Sequence, residues 1–115
     1  MTRILQVSND KSLLESRELL LRECGYDVTS ASGASESLEH CTAKFDLLID
    51  GHSMPHEEKR AIVTAFRAHN CAPILALHRE NEEMLEGADF EIPPDPQVVI
   101  SAVASLIANR STSAS

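Results

Sequence analysis

The sequence predicts an α/β domain whose parallel sheet is covered by helices on both faces. Two patterns carry this. Short, nearly all-apolar runs at residues 45–50 and 73–77 have the length and composition of strands buried on both sides. They alternate with longer stretches in which apolar residues recur at helical spacing, the arrangement that feeds a parallel sheet through crossover helices. Length and composition agree: 115 residues, 43% hydrophobic and 24% charged, suffice for one folded unit with a sizeable core. No repeat, linker or second domain interrupts the pattern.

The elements follow in order. Residues 4–7 read as the first strand. Ser12 and Glu15 have capping-box spacing, and Leu13, Leu20, Leu21 and Cys24 mark a first helix closed by Gly25. Residues 26–31 form a weaker second strand, and a helix follows over about 35–41. Residues 45–50, the most apolar run, make a central third strand. Beyond Pro55 a helix through Ile62, Val63 and Phe66 ends near Asn70, and residues 73–77 give the fourth strand. Residues 90–92 are a short fifth strand. Pro93, Pro94, Asp95 and Pro96 then force a turn into the last helix, with Asp95 as N-cap and Pro96 at the first helical position. Val99, Ala102, Val103, Leu106 and Ile107 supply its buried stripe. The folded domain is expected to span residues 1–110, with a disordered tail over 111–115, where Ser, Thr and Ala offer no apolar anchor.

Charge narrows the function. A formal net charge of -8, with ten Lys and Arg residues scattered along the chain, repels a phosphate backbone, so no nucleic-acid partner is expected. No window reaches the length of a membrane span and no secretory segment opens the chain; a cytoplasmic protein without a membrane partner is the expectation. Cys24, Cys41 and Cys71 are odd in number and lack a Cys-x-x-Cys pair, which favours buried reduced thiols over disulfide or metal roles.

Residues 45–55, Phe-Asp-Leu-Leu-Ile-Asp-Gly-His-Ser-Met-Pro, resemble the third strand and following loop of a response-regulator receiver domain. Ile4-Leu5-Gln6-Val7, Glu23-Cys24-Gly25-Tyr26-Asp27-Val28, Ala72-Pro73-Ile74-Leu75-Ala76-Leu77, Gly87-Ala88-Asp89 and Asp95-Pro96 stand in the order and spacing of that family's other landmarks. The resemblance covers nearly the whole chain. It implies a flavodoxin-like, three-layer fold with a five-stranded parallel sheet of order 2-1-3-4-5, and a site at the carboxyl ends of strands one, three and four. It also implies two-component, phosphorelay-type signal transduction in a bacterial setting, with a histidine kinase, an effector or a second copy as partner.

The residues that receiver chemistry needs are missing. In the family an acidic pair after strand one helps hold Mg²⁺, an aspartate after strand three attacks phosphorus, and a hydroxyl and a lysine contact phosphoryl oxygens. Here the acidic pair falls on Ser8 and Asn9, with Asp10 one place too late. The acceptor position falls on Gly51, the hydroxyl position on His78, and the lysine position on Pro93 or Ile92; no lysine follows Lys59. The expectation is a pseudo-receiver: not an enzyme, without a cofactor, independent of phosphorylation and acting through protein contacts. Two alternatives stand beside it. A one-residue slip would make Asp50 a phosphoacceptor with Mg²⁺ as cofactor, although without the slip Asp50 points to the wrong side of its strand. His52 and His78 would share one sheet edge and would serve a metal- or pH-responsive module.

Only nine steps separate His78 from Gly87, too few for a full receiver connection, so the fourth helix is expected to be shortened or missing. Loss of that cover predicts a dimer or partner interface formed by residues 79–86, with Met84, and by the Val99, Val103 and Ile107 side of the last helix.

Overall fold

The computed structural model describes residues 2–51, 54–78, 85 and 87–114, with side chains through residue 108. Among the described residues nine elements follow one another: β1 (Arg3–Ser8), α1 (Lys11–Glu23), β2 (Asp27–Ser32), α2 (Ala34–His40), β3 (Leu47–Asp50), α3 (His56–His69), β4 (Ile74–Leu77), β5 (Phe90–Ile92) and α4 (Pro96–Ala114). The strands form one parallel sheet in the order β2-β1-β3-β4-β5. This is the expected flavodoxin-like topology, and among the described residues no helix stands between β4 and β5.

Strand alternation divides the core into two layers. Ile4, Leu47, Ile49, Leu75 and Leu77 face α1 and α4, where Leu21, Val99 and Val103 pack on them. Leu5, Val7, Leu48, Ile74 and Ala76 face the opposite layer, where Ile62, Val63 and Phe66 of α3 cover them. Leu85, 5% exposed, joins that second layer. Behind it, Arg67 donates to the carbonyls of Ala72 and Gly87 and to the Asp89 carboxylate, which also accepts from the Ile74 amide at 2.7 Å.

Helix ends explain most boundaries and correct two expectations. The N-cap of α1 is Asp10, whose Oδ1 accepts from the Leu13 amide at 3.2 Å, so the helix starts before the capping box expected at Ser12. Its inward stripe is accordingly Leu14, Arg17 and Leu21, while Leu20 is 39% exposed and Cys24 lies at the surface. At the other end Gly25, at φ 94°, donates to Arg22 and Tyr26 donates to Leu21, the paired bonds of a Schellman cap. Asp95 caps α4 as expected, accepting from the Gln97 and Val98 amides. Only Cys41 of the three free cysteines is buried; Cys24 and Cys71 are exposed, at a helix end and in a loop where the core does not reach.

The proposed interface on α4 is also corrected. Val99 and Val103 are 1% and 0% exposed, and Ile107 packs partly buried on the same cluster, because this stripe is what seats α4 on the sheet. Met84 lies outside the described residues.

Candidate functional site

The carboxyl ends of β1, β3 and β4 converge at one edge of the sheet, as this topology dictates. Ser8 ends β1 almost fully buried, and its Oγ accepts from the Asp10 amide at 3.2 Å. Asn9 is exposed beside it. Asp10 is occupied as the α1 cap, so the one carboxylate near the end of β1 is committed to a helix terminus.

Gly51 closes β3 against β1. Its amide donates to the Val7 carbonyl at 2.8 Å. A Cβ built on Gly51 would stand 2.6 Å from that carbonyl oxygen, 2.9 Å from Ser8 Cβ and 3.2 Å from Ser8 Oγ. Glycine is required here by space, not by backbone conformation. Gly51, which the receiver-like pattern of residues 45–55 sets at the acceptor place, has no room for a side chain.

Asp50, one residue earlier, sits in the sheet interior. It pairs with Val7 on one side and Ala76 on the other, and alternation places it with Leu48 toward α3. It is 0% exposed, and neither carboxylate oxygen has a hydrogen-bond partner among the described residues. Burial pushes its carboxyl up to about 8, against the opposing pull of the Lys59 ammonium. The neighbouring Cys41 thiol is pushed up to about 11, by burial first and by Asp50 second. A neutral carboxyl under a helix is poorly placed for attack on a phosphodonor.

Lys59 is the functional group that the strand-based argument missed. It stands in α3 on the inward stripe with Ile62, Val63 and Phe66, is 4% exposed, and donates from Nζ to the Leu77 carbonyl at 3.0 Å. Its cation thus enters the carboxyl edge from α3, not from the end of β5. The signal was present in the sequence: positions 59, 62, 63 and 66 are one helical face, and a lysine on an apolar face is buried only where its ammonium has partners. Because its charge lowers the Asp50 value, Lys59→Met is expected to raise the Asp50 pKa further. A carbon-13 NMR titration of the Asp50 carboxyl reads this directly, and an unchanged midpoint would show that the two groups do not interact.

His78 follows β4, its amide bonded to Ile92, with Nδ1 3.7 Å from Glu91 Oε1 and making no hydrogen bond among the described residues. Glu91 Oε1 accepts from the Leu85 amide at 2.6 Å, so a part-buried carboxylate of β5 holds the Leu85 backbone. His52 lies outside the described residues. Among those described, no three His, Cys, Asp or Glu side chains are grouped to hold a metal ion. Pro93 is exposed in the turn after β5, where it offers neither charge nor amide proton.

No protein-family model matches the sequence, and no curated protein matches it. Solved structures do. The response regulator TrrA of Thermotoga maritima, in complex with Mg²⁺-BeF, superposes with a TM-score of 0.78 at 23% identity, covering 92% of this chain and 99% of that one. A two-component response regulator from Clostridium difficile gives 0.80 at 18% identity over 94% and 97% of the two chains. The Vibrio cholerae chemotaxis protein CheY4 gives 0.71 at 23% over 92% and 98%. This chain has the receiver fold. On that fold the edge described above is the face where a receiver domain's reaction would be expected, and here it is occupied by a glycine without side-chain room, a buried carboxyl and a lysine from α3. No described helix is long and apolar enough to cross a membrane.

Proposed function

We propose that this receiver-fold chain is a pseudo-receiver in two-component-type signalling, working through protein contacts without phosphorylation and without catalysing a reaction of its own. The observation that carries the reading is the contact between Gly51 and the Val7 carbonyl, which leaves no volume for an acceptor side chain. Ser8 and Asn9 offer no carboxylate pair for Mg²⁺, and Asp50 is sequestered in the core. Loss of a single preorganised charge contact commonly costs about 10²-fold in rate, and several are missing together.

A signalling-protein partner is the natural counterpart. The structural neighbour TrrA has been solved in complex with the histidine kinase ThkA, at 24% identity and a TM-score of 0.75 to this chain. A kinase or effector of that class, or a second copy of this chain, fits a module that acts through protein contacts. The test is incubation with Mg²⁺ and a small phosphodonor, followed by intact mass and a Mg²⁺ titration. The expected result is no mass gain and no saturable Mg²⁺ binding below about 1 mM, where hard-cation sites need several carboxylate oxygens. A base-labile phosphate mapped to Asp50, with output abolished by Asp50→Asn, would replace this reading with that of an active response regulator.

A further inference from the structure

We infer that the cleft between α1 and the entry to α4 is a binding site for a small carboxylate bearing an apolar chain, with Arg17 as its anchor. Arg17 is 8% exposed, and among the described residues its guanidinium makes one hydrogen bond, from Nη1 to the neutral Gln6 Oε1 at 3.3 Å. Gln6 is itself fixed, its Nε2 donating to the Leu14 carbonyl and to Ser30 Oγ. A guanidinium stays charged in a protein and carries five donors, so a buried one without a carboxylate is an unusual and costly arrangement. Burial alone lowers the Arg17 pKa; no neighbouring charge contributes to the shift.

The nearby carboxylates are engaged elsewhere. Glu18 accepts from Arg22 at 3.0 Å and from Ser30 Oγ at 2.6 Å. Asp10 caps α1 and Asp95 caps α4.

Arg17 lines a narrow cleft with a volume of about 50 Å³. Its walls are Leu13 and Leu20 of α1, Pro94 and Pro96 of the rigid turn, and Val99 and Ile100 of α4. With the buried Arg17 among its lining residues and aliphatic walls along the rest, the cleft matches a carboxylate head with a short hydrocarbon tail. A strongly hydrated dianion is disfavoured by the apolar walls, and a neutral hydrocarbon would leave the guanidinium unanswered. This site lies on the α1/α4 layer, away from Asp50 and Lys59, and does not depend on the pseudo-receiver reading.

The probe is hexanoate, titrated into the intact protein and followed by amide NMR shifts. The expected result is saturable binding with a Kd of about 1 mM or tighter, centred on Leu13, Arg17, Leu20 and Ile100. Hexan-1-ol and acetate are expected to bind at least about tenfold more weakly, since each supplies half of the recognition. Arg17→Met keeps an apolar stem in the core and is expected to weaken hexanoate about tenfold or more while sparing hexan-1-ol. Ser16→Trp, at an exposed position on the cleft wall, is expected to block hexanoate without disturbing the core, and decides the matter if Arg17→Met does not fold. The proposal is overturned if hexanoate does not saturate by about 10 mM, if hexan-1-ol binds as tightly, or if folded Arg17→Met or Ser16→Trp binds hexanoate like the wild type.

Discussion

Asp50→Asn is expected to stabilise the protein at neutral and alkaline pH and to remove most of its pH dependence between about 4 and 8. Asp50 has its folded pKa raised to about 8 by burial, while in the unfolded chain it ionises near the ordinary value of about 3.9. Between those values the folded state keeps a proton that the unfolded state releases. The contribution is therefore fully present below about pH 4 and is lost as pH rises, at up to about 1.4 kcal/mol per unit, until the folded carboxyl itself ionises near 8. Asparagine does not titrate. Its buried amide leaves donors unpaired much as the neutral acid does, so wild type and variant are expected to have similar stabilities near pH 4. Above that they diverge, by on the order of 5 kcal/mol at pH 8. Urea unfolding of both proteins from pH 4 to 9 isolates Asp50, because Glu91, His78 and every other titrating group are common to the two curves. Parallel curves would mean that Asp50 is ionised in the folded protein and that Lys59 compensates it fully.

The same buried carboxyl marks the boundary of what the sequence made legible. The order of strands and helices was readable because each strand is a short apolar run and each helix a periodic one, and β5 and the Asp95 cap fall where the pattern puts them. The face on which Asp50 lies was readable too, since alternation along 47–50 fixes it once Leu48 is inward toward α3. The spatial reason for Gly51 was not: the contact with Val7 depends on how closely β1 approaches β3, which spacing within one strand does not encode.

Two charged residues were misjudged for a common reason. Arg17 and Lys59 were counted only among the ten scattered basic residues, yet each occupies the apolar stripe of its helix, Leu14-Arg17-Leu21 in α1 and Lys59-Ile62-Val63-Phe66 in α3. In α1 the error began at the cap. Placing the helix start at Ser12 and not at Asp10 went with an inward stripe of Leu13 and Leu20 and left Arg17 out of it. The interface assigned to Val99 and Val103 failed differently. The uncovered area was assumed to lie on α4, whereas Leu85 fills the other layer and α4 keeps its own seat on the sheet.

Gly51→Asp is expected to destabilise the protein and to gain no phosphate, although it supplies the residue type that the receiver-like sequence pattern calls for at position 51. The new Cβ would stand 2.6 Å from the Val7 carbonyl oxygen and 2.9 Å from Ser8 Cβ, closer than side chains stand to backbone in folded proteins. Those neighbours belong to the β1 strand, not to the far end of a flexible side chain. Relief requires β1 to separate from β3, and the same carbonyl accepts the Gly51 amide at 2.8 Å, so the bond that closes the sheet at this edge is lost with the movement. Overpacking of this kind costs roughly 2–4 kcal/mol. Gly51→Ala is expected to lose most of the same stability, because the clash begins at Cβ; the added carboxylate contributes less than the methyl group. Phosphorylation is not expected even in the folded fraction, since Ser8 and Asn9 leave Mg²⁺ without its carboxylate pair and Lys59 is bonded to Leu77. Urea unfolding of the wild type and both variants, with intact mass after Mg²⁺ and phosphodonor, gives both readouts. A Gly51→Asp protein as stable as wild type and heavier by one phosphate would mean that β1 yields readily, and that a single substitution separates this chain from a working receiver.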